Sequence, residues 1–376
     1  MKILITIWGP EYGCLFREIE IARALIEQGH KVQFIINKNH IEIIKNYFGK
    51  RSILYYFDWK IVQYKDNNDL DFFKTITFYM KFLFFRGVSE FSQFKRAVRK
   101  FKPDIIINDF IPHIVIFSKI LNLKCIGVFN YALIKHNLTP TLVGKITHSF
   151  TRHIFNLLYR LNSLNIIETI GEKMKNTKNI IFVKPIAIDK KRDRKFLKEK
   201  LGIIKSNCLL VFYSLGGGFY HYKNLLLMDK LIEGNEEIRI FVLPRNKQEI
   251  LFFKKNFKNI LFVKDLAFDP SEYIYHADLI ITKCGFRTIV DAIKNKCLIL
   301  PIHTPNHPEI FETEVLLKKH NLVYDTISTM DYEIIEKIKK VVSCKTTLLS
   351  NYNKIDFCDL KIVLDFMNKL DKKERR

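Results

Sequence analysis

One segment near the carboxyl end constrains the fold of this chain more than any other. Between Asp278 and Glu309, a short apolar run, a glycine, a stretch with helical spacing, a second apolar run and a polar loop follow one another. The apolar runs Leu279–Thr282 and Leu298–Ile302 predict buried strands, and the stretch Thr288–Asn295 between them predicts a helix. Two strands joined by a helix form a βαβ unit, the repeating element of parallel, doubly wound sheets.

The glycine of this segment precedes a helix start that suits an anionic ligand. After Gly285, we expect Thr288 and Asp291 to fall in the first helical turn. First-turn amides and the positive end of the helix dipole favour phosphate, and Arg287 adds a full charge there. A purely structural interpretation is also open, in which Gly285 makes a tight turn, Asp291 complements the helix dipole and Arg287 is solvated.

A second glycine loop stands in an earlier βα unit. The buried-strand pattern Leu209–Tyr213 runs through Ser214 into three glycines, which include Gly216 and Gly217. Glycines after a strand allow backbone amides to approach an anion closely. Neither loop has the spacing of the dinucleotide fingerprint or the lysine of the P-loop, and each alone fits a plain βα turn. Together, in one half of the chain, the two loops favour a diphosphate site.

The whole chain repeats this alternation, which predicts an α/β fold. Continuous runs rich in Ile and Val suit strands buried on both faces, and helical patterns separate them. With 376 residues, the chain suits two Rossmann-like domains, which we place at 1–184 and 185–376, with doubly wound parallel sheets facing a cleft. The other predicted strands are Lys2–Ile7, Lys31–Ile36, Ile53–Phe57, Asp104–Ile107, Lys124–Phe129, Ile180–Ile186, Ile238–Leu243 and Ile260–Val263.

The charge distribution favours an anionic surface as a partner. The formal net charge is +23. From Phe110 to Ile167 the chain has no Asp or Glu, and the run Phe72–Arg86 mixes phenylalanines with cations. Exposed together, these residues suit an anionic membrane better than nucleic acid, for which no recognition motif is present. Alternatively, the phenylalanines belong to the core and the lysines to a solvated helix face.

The cysteines and the apolar runs bear on location. The seven cysteines form neither a CxxC pair nor a cluster with histidine, which argues against a disulfide framework and a metal centre. The apolar run Ile3–Trp8 is too short for a signal peptide, and no run approaches the roughly 18 apolar residues that span a bilayer. We therefore expect a cytoplasmic protein whose membrane contact is peripheral, on the inner face.

The motifs of the carboxyl half resemble the donor-binding segment of the UDP-glycosyltransferases of the GT-B fold. The resemblance rests on Ile280–Thr282, Gly285–Thr288, Asp291, Leu298–Ile302 and Asn306–Glu309, and it extends to Met1–Gly13 and Arg17. The chain is most similar to the branch that includes the lipid-linked N-acetylglucosaminyltransferase of peptidoglycan synthesis and its archaeal and bacterial relatives. This likeness implies two Rossmann-like domains, with the nucleotide-sugar donor bound by the second.

The resemblance also implies roles for single residues. Asp291 would take the ribose hydroxyls, Glu309 with His307 would bind the donor sugar, and the segment from Val263 would hold the uracil. His307 alternatively only shapes its loop. The implied nucleotide-sugar site comprises Gly13, Ser214, Gly216, Gly217, Val263, Leu266, Gly285, Arg287, Thr288, Asp291, His307 and Glu309.

Two positions depart from the family pattern. Relatives commonly carry a histidine after the glycine of the first loop, at or near the catalytic base, where this chain has Cys14. A thiol, with an ordinary pKa of about 8.5, is a poor general base at neutral pH. Relatives also often carry a sugar-binding glutamine where this chain has Ile310. The candidates for the catalytic base are therefore Asp109, Glu11 and Cys14, although Asp109 could instead cap the following helix.

The resemblance implies an inverting transferase that moves a sugar from a UDP-sugar to a hydroxyl acceptor, lipid-linked or otherwise, without a metal or other cofactor. Two alternatives stay open. A nucleotide-sugar hydrolase or epimerase on the same fold would act on the donor without any acceptor. A catalytically impaired nucleotide-binding protein would bind UDP without turnover.

Overall fold

The structure is a computed structural model that describes residues 1–7, 12–57, 71–109, 111–130, 142–172, 174–187, 197, 199, 201–203, 208–214, 222–244, 247–263, 270–304, 307–328, 331–358 and 364–365. These residues form two compact units. Unit 1 contains those from Met1 to Ile186 and those from Phe357 onward, and unit 2 contains those from Ala187 to Asp356. The chain's return to unit 1 is marked by a hydrogen bond from the Cys358 amide to the Pro185 carbonyl, 2.9 Å long.

Unit 1 is built on a seven-stranded parallel sheet with the order β3-β2-β1-β4-β5-β6-β7. The strands are β1 (Lys2–Ile7), β2 (Lys31–Asn37), β3 (Ile53–Phe57), β4 (Ile105–Asp109), β5 (Lys124–Asn130), β6 (Leu164–Glu168) and β7 (Ile180–Val183). The described helices are α1 (Tyr12–Glu27), α2 (Ile41–Phe48), α3 (Phe72–Phe85), α4 (Gly87–Phe101), α5 (Pro112–Ile120) and α6 (Leu142–Leu161). The central strands are buried along almost their whole length, which explains their continuous apolar runs.

Unit 2 repeats the plan with a five-stranded parallel sheet in the order β10-β9-β8-β11-β12. Its strands are β8 (Leu209–Tyr213), β9 (Ile238–Val242), β10 (Leu261–Phe262), β11 (Leu279–Thr282) and β12 (Leu298–Pro301). Its described helices are α7 (Tyr222–Leu231), α8 (Lys247–Asn256), α9 (Pro270–His276), α10 (Phe286–Lys294), α11 (Pro308–Lys319), α12 (Ile334–Ser343) and α13 (Lys345–Tyr352).

The winding direction of the chain reverses once in each sheet. The reversal lies between β1 and β4 in unit 1 and between β8 and β11 in unit 2. In open α/β sheets, ligands bind outside the carboxyl ends of the strands at this switch point. The topology therefore predicts a ligand site at this edge of the sheet in each unit.

The predicted fold class is confirmed, with two differences in detail. Strand β6 was not predicted, because its polar residues Asn165 and Glu168 interrupt the apolar run. Strand β4 runs to Asp109 rather than ending at Ile107, so that carboxyl group belongs to the strand. Among the described helices, none is long and apolar enough to cross a membrane.

Four helices of unit 1 share one core cluster against the sheet. This cluster contains Phe82 of α3, Phe94 of α4, Phe117 of α5 and Leu158 of α6, together with the sheet residues Leu4, Ile35 and Ile106. The phenylalanines of α3 are therefore divided between core and surface. Phe82 is buried, whereas Phe73, Phe84 and Phe85 are 73%, 75% and 84% exposed.

Several helices end in a left-handed residue that is not glycine. After α1 this position is Gly29, with φ of 82°, as is usual at a helix end. The same closing pattern after α5, α10 and α11 uses Asn122, Lys296 and Asn321, with φ of 54°, 57° and 52°. After α10, for example, the Cys297 amide donates to the Ala292 carbonyl at 2.9 Å. The hydrogen bonds hold these residues in a region that L-amino acids otherwise avoid.

Candidate active site

The two βα loops of unit 2 leave the sheet side by side at its switch point. Strands β8 and β11 are neighbours, with Ile281 opposite Tyr213. The Ser214 amide donates to the Ile281 carbonyl at 2.9 Å, so Ser214 lies level with the end of β11. Gly216, Gly217 and Leu266 of the predicted site lie outside the described residues.

Gly285 is the N-cap of α10, and neither its backbone nor its packing requires glycine. Its φ of −62° and ψ of 125° suit any residue. A Cβ placed there would meet no described atom outside its neighbours closer than 3.8 Å. The turn therefore does not depend on the conformational freedom of glycine. Because Gly285 has no side chain, space remains beside the first backbone amides of α10. These amides have no hydrogen-bond acceptor within the helix itself.

Arg287 and Asp291 form a two-point ion pair along α10. Arg287 Nε lies 3.1 Å from Asp291 Oδ2, and Nη2 lies 3.0 Å from Oδ1. The side chains are only 11% and 5% exposed, so Arg287 is not simply solvated. Because α10 begins at Phe286, Asp291 lies in the second turn and not in the first as predicted. It is therefore oriented by Arg287 and does not act as a first-turn partner of the dipole.

Lys283 brings a further cation to this edge. It follows the last residue of β11 and precedes the α10 N-cap by two positions. Only 8% of the residue is exposed, so its charge is held inside the structure at the carboxyl edge of the sheet. The end of β11 and the start of α10 thus combine open amides with buried positive charge.

The remaining donor-side residues lie on neighbouring elements. Val263 follows β10, is buried, and its amide donates to the Val242 carbonyl at 3.4 Å. His307 is the N-cap of α11, where its Nδ1 accepts from the Ile310 amide at 3.5 Å, so it does shape the loop. Glu309 is half-buried in the first turn of α11.

At the switch point of unit 1, four ionisable side chains are buried together. Arg17 of α1 reaches Asp109 Oδ1 with Nη2 at 2.8 Å and Glu168 Oε1 with Nη1 at 2.7 Å. Its Nε also lies 3.4 Å from Glu18 Oε1. None of the four residues is more than 6% exposed. Glu168 Oε2 accepts from the Ile186 amide at 2.9 Å. The cluster therefore joins α1 to the ends of β4 and β6 and to the segment around Ile186.

The guanidinium of Arg17 shares this buried site with the carboxyl groups of Glu18, Asp109 and Glu168. Burial favours the protonated form of a carboxyl group, whereas the charge of Arg17 favours the ionised form. Burial and the charge of Asp109 raise the pKa of Glu18, Arg17 lowers it, and the resulting value is about 8. Burial also raises the pKa of Asp109, against the opposing effects of Arg17 and of the Cys14 thiol. Glu18 therefore carries a proton at neutral pH, which limits the negative charge of the cluster.

Asp109 lies at the carboxyl edge of the sheet but does not cap α5. The N-cap of α5 is Ile111, which has no side-chain cap, and the neighbouring Asn108 Oδ1 accepts from the Ile111 amide at 3.3 Å. His113 does not join the charged cluster either. It packs between Phe82 and Phe117, and burial lowers its pKa to about 3.

The first loop of unit 1 is described only in part. Gly13 and Cys14 lie half-buried in the first turn of α1, whereas Glu11 lies outside the described residues. Within the described ranges, no group of three or more His, Cys, Asp or Glu is arranged to hold a metal ion.

Sequence reasoning missed Glu18, Glu168 and Lys283. Glu18 carried a signal, because it stands between Leu15 and Ala22 on the apolar stripe of α1, where a charge is unusual. Glu168 ends the strand that was not predicted. Lys283 interrupts an otherwise apolar run after β11, which also marks a site.

Comparison with known sequences assigns the family. A sequence model of the family described as glycosyl transferase family 1 matches residues 1–304. The chain belongs to this family and is a glycosyltransferase. No curated protein sequence matches it.

Solved glycosyltransferases share the fold at low sequence identity. The spinosyn rhamnosyltransferase SpnG is 10% identical, with a TM-score of 0.64 over 98% of this chain and 100% of that chain. UGT89C1 of Arabidopsis thaliana in complex with UDP is 12% identical, with a TM-score of 0.61 over 94% of each chain. MurG of Acinetobacter baumannii is 13% identical, with a TM-score of 0.57 over 98% of this chain and 99% of that chain. The suspected family and the GT-B fold are confirmed.

Proposed function

We propose that the protein transfers a sugar from a UDP-sugar to a hydroxyl acceptor, with inversion at the anomeric carbon and without a metal. The observation that carries the donor assignment is the open amino end of α10 beside buried Lys283, at the switch point of unit 2. A helix start of this kind binds phosphate through its amides and dipole. UGT89C1, which shares the fold, was solved with UDP and with UDP-L-rhamnose.

The diphosphate binds the amides at Gly285 to Thr288, the Ser214 hydroxyl and the Lys283 ammonium. Asp291 binds the ribose. Arg287 Nε donates to Asp291 Oδ2 and Nη2 lies 3.0 Å from Oδ1, and a carboxylate accepts hydrogen bonds from hydroxyl groups as well as from arginine. In this arrangement Arg287 orients Asp291 and is not the principal cation for the phosphates.

Asp109 is the general base of the proposed reaction. The acceptor oxygen forms a bond to the anomeric carbon while the bond to UDP breaks, UDP leaves with the electron pair, and the hydroxyl proton passes to the base. A carboxyl group whose pKa is raised by burial accepts that proton more readily than an ordinary aspartate. Cys14, half-buried at the same carboxylate, and Glu11 are the alternative candidates.

The acceptor is presented at an anionic membrane. Helices α3, α5 and α6 contain no acidic residue. On α3, exposed Phe73, Phe84 and Phe85 lie among cations such as Lys74, whose side chain is 74% exposed. Exposed apolar side chains with basic neighbours favour insertion at a negatively charged interface. This surface supports a lipid-linked acceptor.

The donor assignment is tested by calorimetric titration with UDP, UMP and uridine. We expect UDP to bind more tightly than uridine, and Lys283→Gln to weaken UDP binding roughly 10- to 100-fold while leaving uridine unchanged, as for loss of a charged hydrogen bond. Lys254→Gln, at an exposed position on α8, serves as the control. Failure of the wild-type protein to bind UDP would refute the proposal.

A further inference from the structure

The imidazole of His303 is held in one orientation by a buried carboxylate. Its Nδ1 lies 2.9 Å from Glu314 Oε2 and 3.1 Å from Oε1. Glu314 is itself 2% exposed at its side chain, and its Oε1 also lies 2.6 Å from Lys318 Nζ. A carboxylate only accepts hydrogen bonds, so the Nδ1 of His303 carries a hydrogen and donates it to Glu314.

His303 lies between the end of β11 and helix α11. The amide of the preceding residue, Ile302, donates to the Thr282 carbonyl at 2.8 Å, which brings His303 next to the segment leading into α10. On the other side, its ring lies 6.3 Å from that of Phe311 in α11, centroid to centroid. His303 therefore stands between the proposed phosphate site and the helix that carries Glu309.

The second ring nitrogen of His303 is available to a ligand. The side chain is 40% exposed, and no hydrogen bond to Nε2 occurs in the part of the chain that the structure describes. With the ring hydrogen on Nδ1, neutral His303 offers Nε2 as an acceptor. An ionised diphosphate has no hydrogen to donate to it, whereas a sugar hydroxyl has.

We infer that His303 recognises the sugar of the donor, by accepting a hydrogen bond from one of its hydroxyls, and that Glu314 is the positioning residue that fixes its ring. This inference rests on the proposed function of unit 2. It assigns sugar recognition to the loop after β12, in addition to Glu309 in the first turn of α11.

The test compares UDP with a UDP-sugar, because only the latter carries the group that His303 is proposed to bind. The probe is whichever of UDP-glucose, UDP-galactose and UDP-N-acetylglucosamine raises the melting temperature of the wild-type protein most. Calorimetry then measures both ligands on the wild-type protein, on His303→Ala and on His303→Gln. His153→Ala, on an exposed face of α6, is the matched control.

We expect His303→Ala to weaken the UDP-sugar roughly 3- to 15-fold, as for one neutral hydrogen bond, and to leave UDP within about twofold. His303→Gln, whose amide oxygen can accept in place of Nε2, should recover part of the loss. Equal weakening of both ligands, or of neither, would overturn the role of His303 while leaving the donor site intact. A wild-type protein that binds neither ligand would instead overturn the proposed function and this inference with it.

Discussion

Replacing Glu18 with glutamine should flatten the dependence of stability on pH in unit 1. In the folded protein the pKa of Glu18 is raised to about 8 by burial, against an ordinary value of 4.5. Between these values the folded state holds a proton that the unfolded state has lost. The free energy of unfolding therefore falls as pH rises through this window, by roughly 1.36 kcal/mol for each pH unit.

From pH 6 to pH 8, the contribution of Glu18 to this fall is about 2–3 kcal/mol. A glutamine resembles the protonated carboxyl group and cannot ionise, so Glu18→Gln should lose this part of the slope and become the more stable form at high pH. The charge of Asp109 also raises the pKa of Glu18, so the two titrations interact. In Glu18→Gln, Asp109 and Glu168 remain as the two carboxyl groups that contact Arg17.

Urea unfolding, followed by tryptophan fluorescence at each pH, measures the free energy of unfolding. Both tryptophans of the chain, Trp8 and Trp59, lie in the sequence between β1 and α3. The control is Glu20→Gln on the same helix, where Glu20 Oε1 pairs with the partly exposed Arg23 at 3.1 Å. Parallel slopes for the wild-type protein and Glu18→Gln between pH 6 and 8 would show that Glu18 does not hold the buried proton.

Three further outcomes test the proposed function. Asp291→Asn should weaken UDP binding by about 1–3 kcal/mol in calorimetry, and unchanged affinity in a folded variant would remove Asp291 from the ribose site. Asp109→Asn should lower kcat roughly 10²–10⁴-fold with little change in UDP affinity, whereas wild-type turnover would transfer the role of base to Cys14 or Glu11. A Phe84→Ser/Phe85→Ser variant should sediment less with anionic vesicles than the wild-type protein, and recovery that is equal on neutral and anionic vesicles would exclude the membrane surface.

The strands were predictable because strands of a parallel sheet that is buried on both faces appear in the sequence as continuous apolar runs. Leu209–Tyr213 and Leu279–Thr282 agree with the structure at both ends. Strand β6 escaped prediction because its polar members, Asn165 and Glu168, interrupt the apolar run. Their partners come from distant parts of the chain, as in the contact between Glu168 and Arg17.

The candidate sites were predictable as positions but not as interactions. The end of β4 pointed to Asp109, and the sequence of α10 pointed to Arg287 and Asp291. No sequence pattern indicated that Asp109 pairs with Arg17 or that Asp291 pairs with Arg287, because these ion pairs depend on side-chain geometry. The position of Asp291 shifted by a turn because helix starts depend on capping, and Gly285 supplies no side-chain cap.

The non-glycine residues at the helix ends connect the fold to the coding sequence. Lysine and asparagine have codons rich in A and T, whereas every glycine codon begins with GG. Lysine greatly outnumbers glycine in this chain, which has only 14 Gly. At Lys296, a side chain occupies a left-handed position at a cost on the order of 1 kcal/mol relative to glycine. Base composition would thus act on stability directly at such turns, and the substitution Lys296→Gly would relieve the strain without changing either site.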